Sequence, residues 1–237
     1  MPPLLIIKRL EKRYGKFVAV KDLTLTVNKN EVFGLLGPNG AGKSTLMWML
    51  TGLSKPTSGE ASIAGVSIKK TSKLKRVIGF APQEDSFYHN LTVFENLVFF
   101  GMLFGLKKKV VKQRADRLLE ELLLTDKRDS KAGSLSGGMK RRLNMAIALI
   151  HDPKLLFLDE PTVGVDPVSR AALWKVMERL RKKITIVIST HYLTEAERLC
   201  DRVAIQRKGM IIAVDTPKNL VKGGKSLEDV FVKLVES

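Results

Sequence analysis

Short apolar, β-branched runs alternate with helical patterns along this chain of 237 residues. Residues 32–36, 155–158, 184–189 and 203–205 are continuous runs of strand length, the pattern of strands buried on both faces. Leu46, Met49, Leu50 and Leu53 follow the first run at helical spacing. This rhythm predicts an α/β fold: a mostly parallel sheet covered by helices. Upstream, residues 4–8, 18–20, 23–27 and 62–63 are short and alternating, as in an antiparallel β subdomain at one edge. Between about 84 and 153 the strand signal vanishes, and Leu118, Leu119, Leu122 and Leu123 mark one amphipathic face. That stretch is expected to be a helical subdomain inserted into the core of a single domain, 1–237. Residues 221–225 look like a linker within a short C-terminal tail, 210–237.

Apolar residues make up 44% and charged residues 27% of the chain, a folded rather than disordered composition. The net charge of +17 suggests attraction to something anionic: nucleotide, nucleic acid or the inner leaflet of a membrane. Runs such as 107–109 and 181–183 are scattered, so solvated basic faces are the plain reading and no specific nucleic acid is expected. The single cysteine, Cys200, excludes an internal disulfide and reads as a buried thiol in a reducing compartment. Lys8, Arg9, Lys12 and Arg13 follow the apolar run 4–7, the reverse of a secretory signal, and nothing here looks exported. The uncharged stretch 97–106 is far shorter than the roughly 20 residues that span a bilayer. A cytoplasmic protein without a transmembrane helix is expected.

Gly37, Pro38, Asn39, Gly40, Ala41, Gly42, Lys43, Ser44 and Thr45 satisfy G-x-x-x-x-G-K-[ST] between a strand pattern and a helix pattern. Glycines let the backbone wrap an oxyanion, so that successive N–H groups and the positive helix end converge on a β-phosphate. Lys43 is placed to bridge the β- and γ-phosphates, Ser44 to offer a hydroxyl to Mg²⁺, and Thr45 to support the α-phosphate region. Asp159 and Glu160 follow the run 155–158, where a buried strand should end at the nucleotide crevice. Asp159 reads as the magnesium partner and Glu160 as the base that aims a water at the γ-phosphate.

A second glycine motif, Leu135-Ser136-Gly137-Gly138-Met139-Lys140, precedes the acidic strand. With the loop at Gly37 and the pair Asp159-Glu160, it resembles the nucleotide-binding subunits of ABC transporters, and the resemblance runs from Tyr14 to about Thr216. It implies a P-loop NTPase core, with ATP and Mg²⁺ as the bound groups. Tyr14 matches an adenine-stacking aromatic, Gln83 a magnesium-ligating glutamine, Asp166 a loop communicating across a dimer, and His191 a histidine at the γ-phosphate. Ser136, Gly137 and Gly138 match a helix start that caps the nucleotide of a second cassette, which implies a head-to-tail dimer, homomeric or heteromeric. Met139 stands where the commonest form has glutamine. His89 and His151 match no catalytic position and read as surface residues.

Residues 33–37, 91–97 and 139–143 look most like cassettes that serve ABC-2-type export permeases. The resemblance therefore implies an ATPase held at the inner face of the cell membrane by a separate permease, with residues 83–96 docking it. Phe87, Tyr88 and Phe94 in that segment read equally well as packing residues. A soluble superfamily member acting on ribosomes or nucleic acid is the alternative, and the positive charge would suit it. Such proteins typically carry two cassettes or long insertions, whereas this chain has one of each motif. A cassette that binds ATP without hydrolysing it is disfavoured by Glu160 and His191.

Overall fold

A computed structural model describes residues 3–221 and 226–236. Strands β1 (Pro3–Tyr14) and β2 (Phe17–Asn28) form a long hairpin, followed by β3 (Val32–Leu36) and helix α1 (Lys43–Leu50). Then come β4 (Ser58–Ile63), β5 (Val66–Ser67), a single helical turn α2 (Thr71–Leu74) and β6 (Ile78–Ala81). Helices α3 (Val93–Leu103), α4 (Lys108–Glu121) and α5 (Gly137–Leu149) occupy the next stretch, with β7 (Leu155–Asp159) after them. The chain closes with α6 (Pro167–Leu180), β8 (Thr185–Thr190), α7 (Leu193–Leu199), β9 (Arg202–Arg207), β10 (Met210–Asp215), α8 (Pro217–Leu220) and α9 (Leu227–Glu236).

The main sheet runs β10-β9-β3-β8-β7-β6, with every pairing parallel except β10 on β9. A separate antiparallel sheet runs β2-β1-β4-β5. Alternate side chains of a strand point to opposite faces, and here each face meets its own core. Leu156 and Leu158 of β7, Ile186 and Ile188 of β8, and Val203 and Ile205 of β9 pack with helices α3 to α7. Leu155, Phe157, Val187 and Ala204 face the other way, onto α1 and the antiparallel sheet. Burial on both sides is why these strands read as unbroken apolar runs.

Several local expectations shift. Residues 18–20 and 23–27 belong to one strand, β2, which Asp22 interrupts with a left-handed residue rather than a break. Helix α1 stops at Leu50, so Leu53 lies beyond the turn at Gly52 and is 64% exposed instead of packed. Leu123 likewise falls past the end of α4 at positive φ and is exposed, while Leu118, Leu119 and Leu122 are buried. The stretch from 210 opens with β10, an edge strand of the main sheet. The linker-like stretch 221–225 lies outside the described residues apart from Val221. Asp215 accepts hydrogen bonds from Thr216 N and Asn219 Nδ2 and so braces α8.

Residues 84–153 hold α3 to α5 and two short 3₁₀ turns, and buried polar side chains fix the loops between them. Thr92 and Glu95 form a reciprocal cap that starts α3. Asn96, fully buried, accepts from Tyr88 N at 2.8 Å and donates to Tyr88 O and Thr92 O. Arg142 donates to the carbonyls of Leu122 and Leu123 at the end of α4, and burial lowers its pKa. Asn144 of α5 accepts from both Ser86 N and Ser86 Oγ and donates to Glu84 O at 2.7 Å, tying the segment after β6 to the helix. Asn144→Leu strips these partners from the half-buried Ser86 and the carbonyl of the exposed Glu84, a loss of about 1 kcal/mol. Urea unfolding should show a lower midpoint at an unchanged slope.

Candidate functional site

The loop from Gly37 to Gly42 joins the carboxyl end of β3 to α1, where parallel strands present a crevice. Gly42 is the N-cap of α1 at φ 102°, and a Cβ there would sit 2.3 Å from Ala19 O. Only glycine meets both demands. The loop is tied down by Ala41 N donating to Pro38 O and Gly209 N donating to Ala41 O. Lys43, 5% exposed, reaches back across it and donates to Gly37 O at 2.8 Å and Pro38 O at 3.2 Å.

At the ends of β7 and β8, adjacent in the sheet, the acidic pair meets this loop. Asp159 is buried, which raises its pKa, and hydrogen bonds from Ser189 and Ser44 draw it partly back. Ser189 Oγ donates to Asp159 Oδ1, and Ser44 Oγ lies 3.5 Å from the same oxygen. Glu160 takes a left-handed conformation at φ 46°, worth about 1–3 kcal/mol of strain for a residue with a side chain. Its N–H is held by Ser189 O and Ser189 Oγ, and its carboxylate projects between Lys43 Nζ at 3.5 Å and His191 Nδ1 at 3.3 Å. The His191 contact is one of proximity and not of hydrogen-bonding alignment. Behind it Glu195, fully buried, accepts from Trp174 Nε1, and its own pKa is pushed up by burial.

A cleft of about 650 Å³ thus gathers Asn39, Gly40, Gly42, Lys43, Ser44, Thr45, Gln83, Glu160 and His191, while Asp159, 3.5 Å from Ser44 Oγ, opens with Ser44 and Gln83 onto the adjoining groove. Two neighbours escaped the sequence reading. Phe17 lines the cleft whereas Tyr14, its partner across the β1–β2 hairpin, does not and carries Lys12 Nζ 4.9 Å from its ring. Ser189 had no motif to mark it, because its importance lies in the strand pairing. The donors around Asp159 are a hydroxyl, a carboxylate and an amide, hard oxygen ligands of the kind that suit Mg²⁺ shared with phosphates.

Ser136, Gly137, Gly138 and Asp166 do not line this cleft. Ser136 caps α5, its Oγ accepting from Met139 N, and Gly137 faces open space. Gly138 packs where a Cβ would come 2.5 Å from Ser169 Cβ. Asp166 caps α6 by accepting from Ser169 N at 2.9 Å, a backbone bond that lowers its pKa. The two helix starts therefore touch through Ser169.

Beside the cleft, a groove of about 720 Å³ opens between α1 and α3, with Trp48, Leu53, Phe100 and Phe104 on its walls and Gln83 at the end nearest the nucleotide loop. His151 is half-buried rather than a free surface residue: it lines this groove, stacks on Phe104 at 3.9 Å, and burial lowers its pKa. His89 is half-exposed, as expected. Of the three aromatics in doubt, Phe87 is buried and Phe94 lies under the Arg128 guanidinium, while Tyr88 remains exposed against Phe99. Cys200 is buried against Gly34, and burial pushes its thiol far up. Among the described residues no helix is long and apolar enough to cross a membrane.

Comparison with known proteins places this geometry. The linearmycin resistance ATP-binding protein LnrL of Bacillus subtilis is 44% identical over 233 residues, 97% of this chain and 75% of that protein. The Nod factor export ATP-binding protein I of Rhizobium sp. is 44% identical over 218 residues, 90% of this chain and 71% of its own. A solved structure described as the ATP binding subunit of an ABC transporter superposes with a TM-score of 0.86 at 32% identity, covering 98% of this chain and 99% of that one. The pattern of the ABC transporter family matches residues 20–163. The chain, with its phosphate loop, acidic strand end and helical segment in that order, belongs to the ABC transporter family.

Proposed function

We propose that this cassette binds and hydrolyses MgATP at the interface of a head-to-tail dimer and so powers transport, in the export direction, through a separate ABC-2-type permease. The observation that carries the reading is Glu160, held by Ser189 in a strained backbone and aimed between Lys43 and His191. The export direction is supported by relatives named for Nod factor export and linearmycin resistance.

In this reading the backbone N–H groups of Gly40 and Gly42 and the start of α1 receive the β-phosphate. Lys43 exchanges its loop carbonyls for the β- and γ-phosphate oxygens, which also frees the Glu160 carboxylate beside it. Glu160 then takes a proton from the attacking water, and His191 holds the γ-phosphate side of the cleft. Ser44, Gln83 and Asp159 would hold Mg²⁺, which neutralises charge on the β- and γ-phosphates. The N-terminus of α5 at Ser136 and Gly137 lies outside its own cleft with open space at Gly137, which supports its use toward the γ-phosphate of a second cassette. Asp166, touching that helix start through Ser169, is placed to relay the state of one cleft to the other. Phe17, which lines the cleft opposite Tyr14 at the hairpin tip, offers its aromatic face to the adenine in place of Tyr14. The apolar groove ending at Gln83 receives a helix of the permease, so that nucleotide state and docking share one loop.

Three outcomes test these roles. Glu160→Gln should slow ATP turnover by roughly 10²–10⁴-fold while ATP-bound dimers accumulate on a sizing column; unaltered turnover would remove Glu160 from the base role. Lys43→Ala should weaken nucleotide binding by about tenfold to a hundredfold in a fluorescent-nucleotide titration, the loss of a charge-assisted contact. Leu53→Glu, on the groove wall, should abolish transport in cells and leave turnover of the isolated cassette intact. Undiminished transport would place the permease elsewhere.

A further inference from the structure

The corner between α3 and α4 carries two chemistries that the nucleotide cleft and the groove leave unused. Phe99, Met102 and Leu103 share one face of α3 at i, i+3 and i+4, and none of them lines the groove that Phe100 and Phe104 enter. They are exposed, Leu103 by 67%. Directly after them Lys107, Lys108 and Lys109 start α4, with Lys112 one turn on, all exposed. Among the described residues none of these four lysines makes an ion pair, and the first turn of α4 holds no acid.

Cations at a helix start oppose the macrodipole, and a large exposed leucine beside them gains nothing from water. Both are local costs without a return inside this fold. Protein interfaces are depleted in lysine, a strongly hydrated point charge, and enriched in arginine. An anionic bilayer surface has the opposite preference: lysines meet headgroup phosphates while neighbouring apolar side chains enter the acyl boundary.

We propose that the α3–α4 corner is a membrane-contact surface for anionic phospholipid, with Met102 and Leu103 entering the interface and Lys107, Lys108, Lys109 and Lys112 held at the phosphates. It adjoins the groove, since Phe99 packs edge-on against Phe100, but its own side chains do not line it, and it gives part of the chain's +17 charge a defined task. Each lysine near such a surface is worth about a fivefold change in binding.

The test is flotation of the full chain, without nucleotide, on vesicles of phosphatidylcholine alone or mixed with phosphatidylglycerol. Binding is expected only to the mixed vesicles and should fall with added salt. The triple variant Lys107→Gln, Lys108→Gln, Lys109→Gln should weaken it by about a hundredfold, and Leu103→Ser by several-fold more modestly. A control, Lys154→Gln, Lys175→Gln, Lys182→Gln, removes the same charge from positions outside the patch, Lys175 and Lys182 in the groove between α4 and α6, and should have little effect. Unchanged thermal midpoints in all variants report intact folding. Equal loss in the control, or no preference for phosphatidylglycerol, overturns the proposal: overall basicity or a protein partner then accounts for the patch. Because no nucleotide is present, neither result bears on the ATPase reading.

Discussion

A carboxylate almost sealed from water, Asp159 at the carboxyl end of β7, needs partners that solvent cannot supply. Ser189, one strand over on β8, donates to it and with the same hydroxyl accepts from the backbone of Glu160. One serine thus fixes the acidic pair in register, because β7 and β8 place Asp159 directly opposite Ser189. The left-handed turn that follows is tolerable only under that restraint, and it points the Glu160 carboxylate into the cleft instead of along the strand. Lys43 completes the arrangement from the other side of β8, since β3 and β7 flank that strand.

The same economy of buried polar groups carries the helical segment to the site. Asn144, midway along α5, holds the backbone at Ser86 and Glu84, close after Gln83, so the loop that lines both cleft and groove is positioned by the helix that Ser136 caps. Gly138, pressed against Ser169, links that helix start in turn to the cap at Asp166. The acidic loop, the apolar groove and the start of α5 are joined by short chains of packed or hydrogen-bonded groups and not by one long element.

Where the sequence misled, the cause was tertiary. Helical spacing carried Leu53 and Leu123 onto buried faces, but each helix ends before them, at a left-handed Gly52 in one case and with Leu123 itself left-handed in the other, which spacing does not register. The two pieces of β2 looked separate because a bulge at Asp22 breaks the alternation without breaking the pairing. His151 looked like a surface residue since nothing local shows that Phe104, distant in sequence, stacks on it.

The sequence by itself determined the fold class and the members of the phosphate loop and acidic pair. Those features rest on short-range chemistry: glycines for a tight turn, a lysine and hydroxyl beside them, apolar runs buried on both faces. Only the tertiary structure decided that Phe17 and not Tyr14 lines the cleft, that Ser189 governs Asp159 and Glu160, and that Ser136 and Asp166 stand outside it. Each of these depends on which strands and helix ends become neighbours, a consequence of packing between segments far apart along the chain that no local pattern encodes.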